Sequence, residues 1–401
     1  MSESSSVENV LSAPAHGGDV AAVAAEFGIA PGELLDFSAN INPLGPPAGV
    51  LRRLAVDAAD VELLMRYPEA ELKSLRRALS IHVGIEENQI IIAGGAAALI
   101  ETIVRAVGRK NPEPRCLLPV PAFSEYERAL LASDFQIIPF QLEREQNFCL
   151  EENKFLEILA KEKPDLCIIT NPHNPTGALI KCEALERIAR AAEKTETIVL
   201  LDEAFIDYAP EESLTQSAKR FKNLIVLRSL TKFYAIPALR VGYAVASAEL
   251  IEVFTPQISS WSVTSLAANA AEEAVKDTEY AEQTLEINRI EREYLSGALE
   301  QAGFRVYPPA ANFLFLELPP LPLAAELRSN LIKNHHIIIR NCSTYSGLDA
   351  GKFVRVAVRS RADNELLIKA MSKSQQEWII NPAAKKEPGQ LISSAKWCKR
   401  E

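Results

Sequence analysis

The sequence predicts an α/β protein with a large, mostly parallel sheet domain and a smaller α+β domain after it. Two observations predict this. Short apolar runs without strict alternation recur between helix-like stretches, the pattern of strands buried on both faces of a parallel sheet. After about residue 264 the pattern changes to one long helical stretch and three more strand-like runs. A length of 401 residues accommodates two or three domains. The expected division is an N-terminal arm over 1–40, a large domain over 41–264, a small domain over 265–374 and a polar extension over 375–401.

In order, the run IIIA around residues 91–93 leads through Gly94-Gly95 into an Ala-rich helical pattern. CLLPV (116–120), LCIIT (166–170), TIVLLD (197–202), NLIVLR (223–228) and VGYAVA (241–246) read as further strands. KFLEILAKEK and EALERIARAAEK carry helical periodicity and fit the crossovers between strands. A single helical segment is expected from about Ser265 to Ala302, with i,i+4 charge pairs along it. FLFLEL, HIIIRNC and FVRVAVR then read as strands of the small domain. Beyond about Lys373 the composition turns polar and mixed, although Trp378 and Trp397 occur there.

Composition narrows the class. With 48% hydrophobic and 24% charged residues the chain resembles soluble globular proteins and not disordered ones. Its size needs no disulfides. The six cysteines (Cys116, Cys149, Cys167, Cys182, Cys342 and Cys398) form no C-x-x-C pair, which argues against a zinc or thioredoxin-like site. The segment MSESSSVENVLSAP has neither a basic nor an apolar signal region. No apolar run reaches the roughly 18–20 residues that span a bilayer. The expectation is a cytoplasmic protein without a membrane partner. A net charge of −10 also disfavours nucleic acid, so an anionic ligand needs a local cluster of basic groups.

Four motifs carry candidate chemistry. Ser229-Leu-Thr-Lys232 follows a strand directly. A lysine there is partly desolvated, which favours the neutral amine that attacks an aldehyde; the alternative is a surface lysine. Arg240 follows eight residues later, and with Ser229 it offers donors for a phosphate. Asp202 ends the strand TIVLL, where open α/β sheets bind ligands. It is either a partner for a protonated pyridine nitrogen, a helix cap or a metal carboxylate. Asn171-Pro-His-Asn-Pro-Thr-Gly177 is a tight turn that would hold the Asn174 amide rigidly at a strand end. Gly94-Gly95-Ala96-Ala97 joins a strand to a helix, and its free amides suit either a phosphate or a plain turn. Phe123 is a candidate to stack on a flat ring, or a core aromatic.

Taken together and in this order, these residues resemble the fold-type I pyridoxal-phosphate (PLP) enzymes of the aspartate aminotransferase superfamily, over about residues 16–372. The resemblance implies that Lys232 binds PLP covalently and that Asp202 pairs with the ring nitrogen. It implies that Asn174 bonds the ring hydroxyl and Phe123 stacks on the ring. It assigns the PLP phosphate to Ser229, Arg240 and the amides near Gly95 and Ala96. It implies that Tyr67 reaches the phosphate of a neighbouring subunit, hence a homodimer, and that Arg355 binds the substrate carboxylate. Phe205 stands where many aminotransferases carry a tyrosine.

The stretches His16-Gly-Gly-Asp19, LLDFSANINPLGPP, RSLTKFYAIPALRVGY, IIIRNCSTYSGL and FVRVAVRS are similar to the threonine-phosphate decarboxylase family of cobalamin biosynthesis. That resemblance implies a phosphorylated amino acid as substrate, with His16, Gly17, Asn40, Asn174, Arg340 and Arg355 as its binding residues. Arg340 lies in an apolar run, costly to bury unless it meets an anion or a structural ion pair. Arg359 is left outside the site. The bond broken at Cα is the one perpendicular to the cofactor ring, and the sequence leaves loss of CO2 and loss of the hydrogen both open. The competing readings are a histidinol-phosphate or aromatic aminotransferase, a phosphoserine decarboxylase, and a non-enzymatic PLP-binding regulator. The last expects a fused DNA-binding module, and the residues before the core are not basic.

Overall fold

The computed structural model describes residues 17–380, with side chains to Glu377. His16, Trp397 and Cys398 lie outside the described residues.

The arm contributes a helix, Val20–Phe27, and a two-residue strand, β1 (Leu35–Asp36). The large sheet follows: β2 (Ile90–Ala93), β3 (Arg115–Val120), β4 (Gln136–Gln141), β5 (Leu166–Thr170), β6 (Ile198–Asp202), β7 (Leu224–Ser229) and β8 (Gly242–Val245). Their order across the sheet is β2-β8-β7-β6-β5-β3-β4. β8 runs antiparallel to both neighbours, and the remaining pairs are parallel.

Every residue of β5 and β7 is buried, so neither strand has a polar face to alternate with. The pleat sends Ile91, Cys116 and Leu118 to one side, against helices Ala96–Gly108, Ser124–Leu131 and Ala248–Phe254. Ile90, Ile92 and Leu117 go to the other, against helices that include Lys73–Val83, Glu152–Glu162 and Cys182–Glu193. β4 is absent from the sequence reading. It is an edge strand, half exposed and carrying Pro139, which a sheet tolerates at its margin.

The expected single helix over 265–302 is two helices, Ser265–Lys276 and Thr278–Gln301. Asp277 breaks it: its backbone leaves helical geometry and its carboxylate caps the second helix at the Tyr280 amide. The first helix packs on helices Ala48–Ala59 and Lys73–Val83 beside the large sheet, and the second on helix Arg361–Ile380. Residues 265–276, expected in the small domain, therefore lie with the large one. Helix Arg361–Ile380 also runs through the expected 374/375 boundary.

The small domain holds β9 (Arg305–Val306), β10 (Phe313–Glu317), β11 (Ile337–Ile338), β12 (Arg340–Asn341) and β13 (Phe353–Ala357). An antiparallel sheet of order β12-β13-β10-β9 covers a core of Leu314, Leu316, Val354, Val356 and the helices behind them. The run HIIIRNC, expected as one strand, divides at Ile339. β11 pairs in parallel with β1 of the arm, while β12 joins β13. The register places Arg340 directly opposite Arg355.

Candidate active site

One edge of the large sheet gathers most of the expected residues. β3, β5, β6 and β7 end there, and Phe123, Asn174, Asp202 and Lys232 stand at or just past those ends. β8 is antiparallel, so its start lies on the same edge and brings Arg240 to it. Gly17, Asn40, Arg340 and Arg355 close the site from the arm and the small domain. The cavity, open on one side, measures about 450 Å³, within the range of small-molecule and cofactor pockets.

Lys232 follows β7 in a turn and is largely surrounded by protein. Its amine is pushed down to about 8, first by burial and then by the charges of Arg355 and Arg240. A substantial neutral fraction near physiological pH is what a nucleophilic amine needs. Asp202 is 3% exposed, and burial pushes its carboxyl up from the usual range. Two hydrogen bonds oppose that shift: Oδ2 accepts from the Tyr126 hydroxyl at 2.5 Å and Oδ1 from the Ala204 amide at 2.9 Å.

The other end of the cavity is built for an anion. Gly95 caps helix Ala96–Gly108 at φ 96° and ψ 162°, a conformation open to glycine, and turns the first helical amides toward the site. The Arg240 guanidinium lies over this turn: a Cβ on Gly95 would meet its Nη2 at 2.8 Å. A Cβ on Gly242 would come within 2.6 Å of the Ala96 nitrogen. Ser229 Oγ is 2.8 Å from Thr231 Oγ1, and both residues line the cavity.

Asn174 gives its carbonyl oxygen to Arg355 Nη1 at 2.5 Å, which leaves its amide nitrogen as a donor. Arg355 Nη2 donates to the Ser38 carbonyl at 2.9 Å. The rest of the NPHNPTG turn is scaffold. Asn171 bonds Ile180 in both directions, and His173 pairs with the Thr176 hydroxyl at 2.8 Å. Burial pushes His173 down to about 4, so it is neutral.

Arg340 is 8% exposed and its guanidinium lies 5.4 Å from the Tyr345 ring centre. Two buried polar atoms at this site, Asn40 Oδ1 and Arg355 Nε, have no hydrogen-bond partner among the described residues. A buried polar group without a partner calls for a ligand or water. Together with the amine, the buried carboxylate and the anion site, they fit an aldehyde-bearing, phosphorylated pyridine plus an anionic substrate.

Some residues behave differently. Tyr67 is outside the cavity of its own chain, 80% exposed and stacked on Trp261 with ring centres 4.7 Å apart. Arg359 bonds Asp363 and the Asp36 carbonyl, which explains its place outside the site. Phe205 lines the cavity and packs edge-on against Phe313 at 5.1 Å. Sequence reasoning missed Ser38, Tyr126, Thr170, Thr231 and Tyr345, all of which line the cavity.

Comparison with known proteins follows the same line. The aminotransferase class I and II family matches residues 32–371. Threonine-phosphate decarboxylase of Salmonella typhimurium is 37% identical over 89% of this chain and 95% of its own. Histidinol-phosphate aminotransferase of Methanosarcina mazei is 30% identical over 90% of this chain and 94% of its own. The crystal structure of L-threonine-O-3-phosphate decarboxylase from Porphyromonas gingivalis superposes with a TM-score of 0.75 at 25% identity, covering 85% of this chain and 99% of that one. The chain belongs to the class I and II aminotransferase family.

Proposed function

We propose that this chain is a PLP-dependent carboxy-lyase that decarboxylates O-phospho-L-threonine to (R)-1-aminopropan-2-yl phosphate and CO2 for cobalamin biosynthesis. The observation that carries this reading is the Arg340–Arg355 pair. The two arginines face each other across β12 and β13, and both are buried in the cavity that holds Lys232. Like charges directly opposite on a sheet repel. A substrate with a carboxylate and a phosphate gives each guanidinium an anion to grip.

Once bound, PLP supplies an electron sink conjugated to the substrate Cα. Lys232, Asp202, Asn174, Phe123, Ser229, Arg240 and the Gly95–Ala96 turn are the groups that hold it. Asp202 would pair with the ring nitrogen, and its two donors, the Tyr126 hydroxyl and the Ala204 amide, favour its charged form against the burial that raises it. Arg355 grips the substrate carboxylate and thereby sets its angle to the ring plane. Arg340, with Asn40 and the Gly17 amide, holds the phosphate, and His16 belongs to the same proposed set. Lys232 Nζ is the group that would return a proton to Cα. An amine titrating near 8 is suited to both giving and taking a proton at neutral pH.

In this reading the enzyme is a cytoplasmic homodimer, with Tyr67 reaching into the partner's site. Support for the dimer comes from the exposed Tyr67–Trp261 stack and from exposed Leu51, Val56, Val61, Leu64 and Met65 on the same stretch of chain. No described helix is long and apolar enough to cross a membrane.

The test is a comparison of kcat/KM for O-phospho-L-threonine, O-phospho-L-serine and, with 2-oxoglutarate present, histidinol phosphate. The reading expects phosphothreonine to be preferred. A preference for histidinol phosphate would make the chain an aminotransferase, and a preference for phosphoserine would move the product to ethanolamine phosphate.

A further inference from the structure

We infer that Tyr126 is a positioning residue for the cofactor: its hydroxyl fixes Asp202 and its ring braces Phe123, so one side chain aligns both the edge and the face of the bound ring. This rests on the PLP reading above.

The hydrogen-bond directions are forced. A carboxylate only accepts, so the single phenolic proton of Tyr126 goes to Asp202 Oδ2 at 2.5 Å. The Thr170 hydroxyl, 2.9 Å from the Tyr126 oxygen, must then donate to it. The relay runs Thr170 to Tyr126 to Asp202, from β5 through helix Ser124–Leu131 to the end of β6. Tyr126 is 1% exposed, so its hydroxyl is sheltered from bulk solvent. Burial, followed by the charge of Asp202, pushes the phenol well above its usual value, which keeps it a donor throughout the working range.

The second contact comes from the same residue. Tyr126 meets Phe123 edge to face, with ring centres 5.6 Å apart. Phe123 precedes the helix and Tyr126 is its third residue; the Tyr126 amide donates to the Phe123 carbonyl at 3.0 Å. The ring platform and the Asp202 anchor are therefore one rigid unit. Without the hydroxyl, Asp202 keeps, among the described residues, only the Ala204 amide as donor. The buried carboxylate is then less stable as an anion and holds the ring-nitrogen proton less firmly.

Two substitutions separate the two contacts. Tyr126→Phe removes the donor and keeps the brace, while Tyr126→Leu removes both. Each is made in the wild-type and in the Asp202→Asn background, and PLP dissociation constants are measured by equilibrium dialysis of the apo forms. With phosphothreonine, Tyr126→Phe is expected to lower kcat about tenfold to a hundredfold with KM little changed, the size of a lost charge-assisted hydrogen bond. It should weaken PLP binding in the wild-type background and change it by less than about twofold in Asp202→Asn, because coupled residues are non-additive. Tyr126→Leu should weaken PLP further in both backgrounds. Equal factors for Tyr126→Phe in the two backgrounds, or an unchanged kcat, overturn the inference. A wild-type chain that retains no PLP overturns the cofactor reading, and this inference with it.

Discussion

Replacing Arg340 with alanine tests substrate recognition at its most specific point. Arg340 is 8% exposed, opposite Arg355 in the sheet and at the cavity wall. Removing the cation that pairs with a buried phosphate costs about 3–5 kcal/mol. At 1.36 kcal/mol per factor of ten, this is a fall of about 160- to 5,000-fold in kcat/KM for phosphothreonine. Unphosphorylated threonine makes no use of that cation, so its kcat/KM should hardly move and the preference for phosphate should collapse. Arg355→Ala is the control. Its proposed partner, the carboxylate, is common to both substrates, so both should fall and their ratio should persist. Arg340→Lys should lie between, since lysine restores the charge but not the planar fork. The assay is steady-state CO2 release with each substrate, on variants whose melting temperature shows an intact fold. An unchanged phosphothreonine/threonine ratio in Arg340→Ala would refute the reasoning and make Arg340 a structural residue.

Three other outcomes follow from the site. Lys232→Ala should lose turnover and the borohydride-reducible PLP chromophore; a reducible chromophore in that variant would place the attachment elsewhere. The rate at which apo-protein takes up PLP should rise with pH and reach half its plateau near 8, because only the neutral amine reacts and Lys232 titrates there; a midpoint near that of an ordinary lysine, about 10.4, would contradict the burial argument. Tyr67→Ala should weaken PLP retention only if Tyr67 reaches a second subunit, so sedimentation showing a fully active monomer would remove the dimer from the account.

The sheet was legible where burial wrote it plainly. β5 and β7 are buried throughout and open on the apolar runs LCII and LIVL, from which each could be read. β4 could not, since its half-exposed edge position leaves no uniform pattern. Direction was also hidden: nothing in GYAV says that β8 is antiparallel, yet that reversal delivers Arg240 to the site. The break at Asp277 was readable as an aspartate before Thr278 but was outweighed by continuous helical periodicity on both sides. Lys232, Asp202 and Asn174 stood out because each stands at or a few residues past the end of an apolar strand run. Tyr126 and Thr170 did not, because an aromatic inside a helix and a threonine inside a strand look like core until the fold brings their oxygens within 2.9 Å. Asn40 became a candidate on resemblance; it lines the cavity, and since its buried Oδ1 only accepts, its amide nitrogen is the group that could donate to a phosphate.

The central claim is that the bond broken at Cα is the one to the carboxylate. Carboxyl-labelled O-phospho-L-threonine, incubated with the PLP-loaded enzyme in deuterated water, tests it most directly. The account predicts one labelled CO2 for each aminopropanyl phosphate formed, one solvent deuterium at the former Cα, and no requirement for a 2-oxo acid. Label retained in a 2-oxo acid product, with no CO2 released, would contradict it.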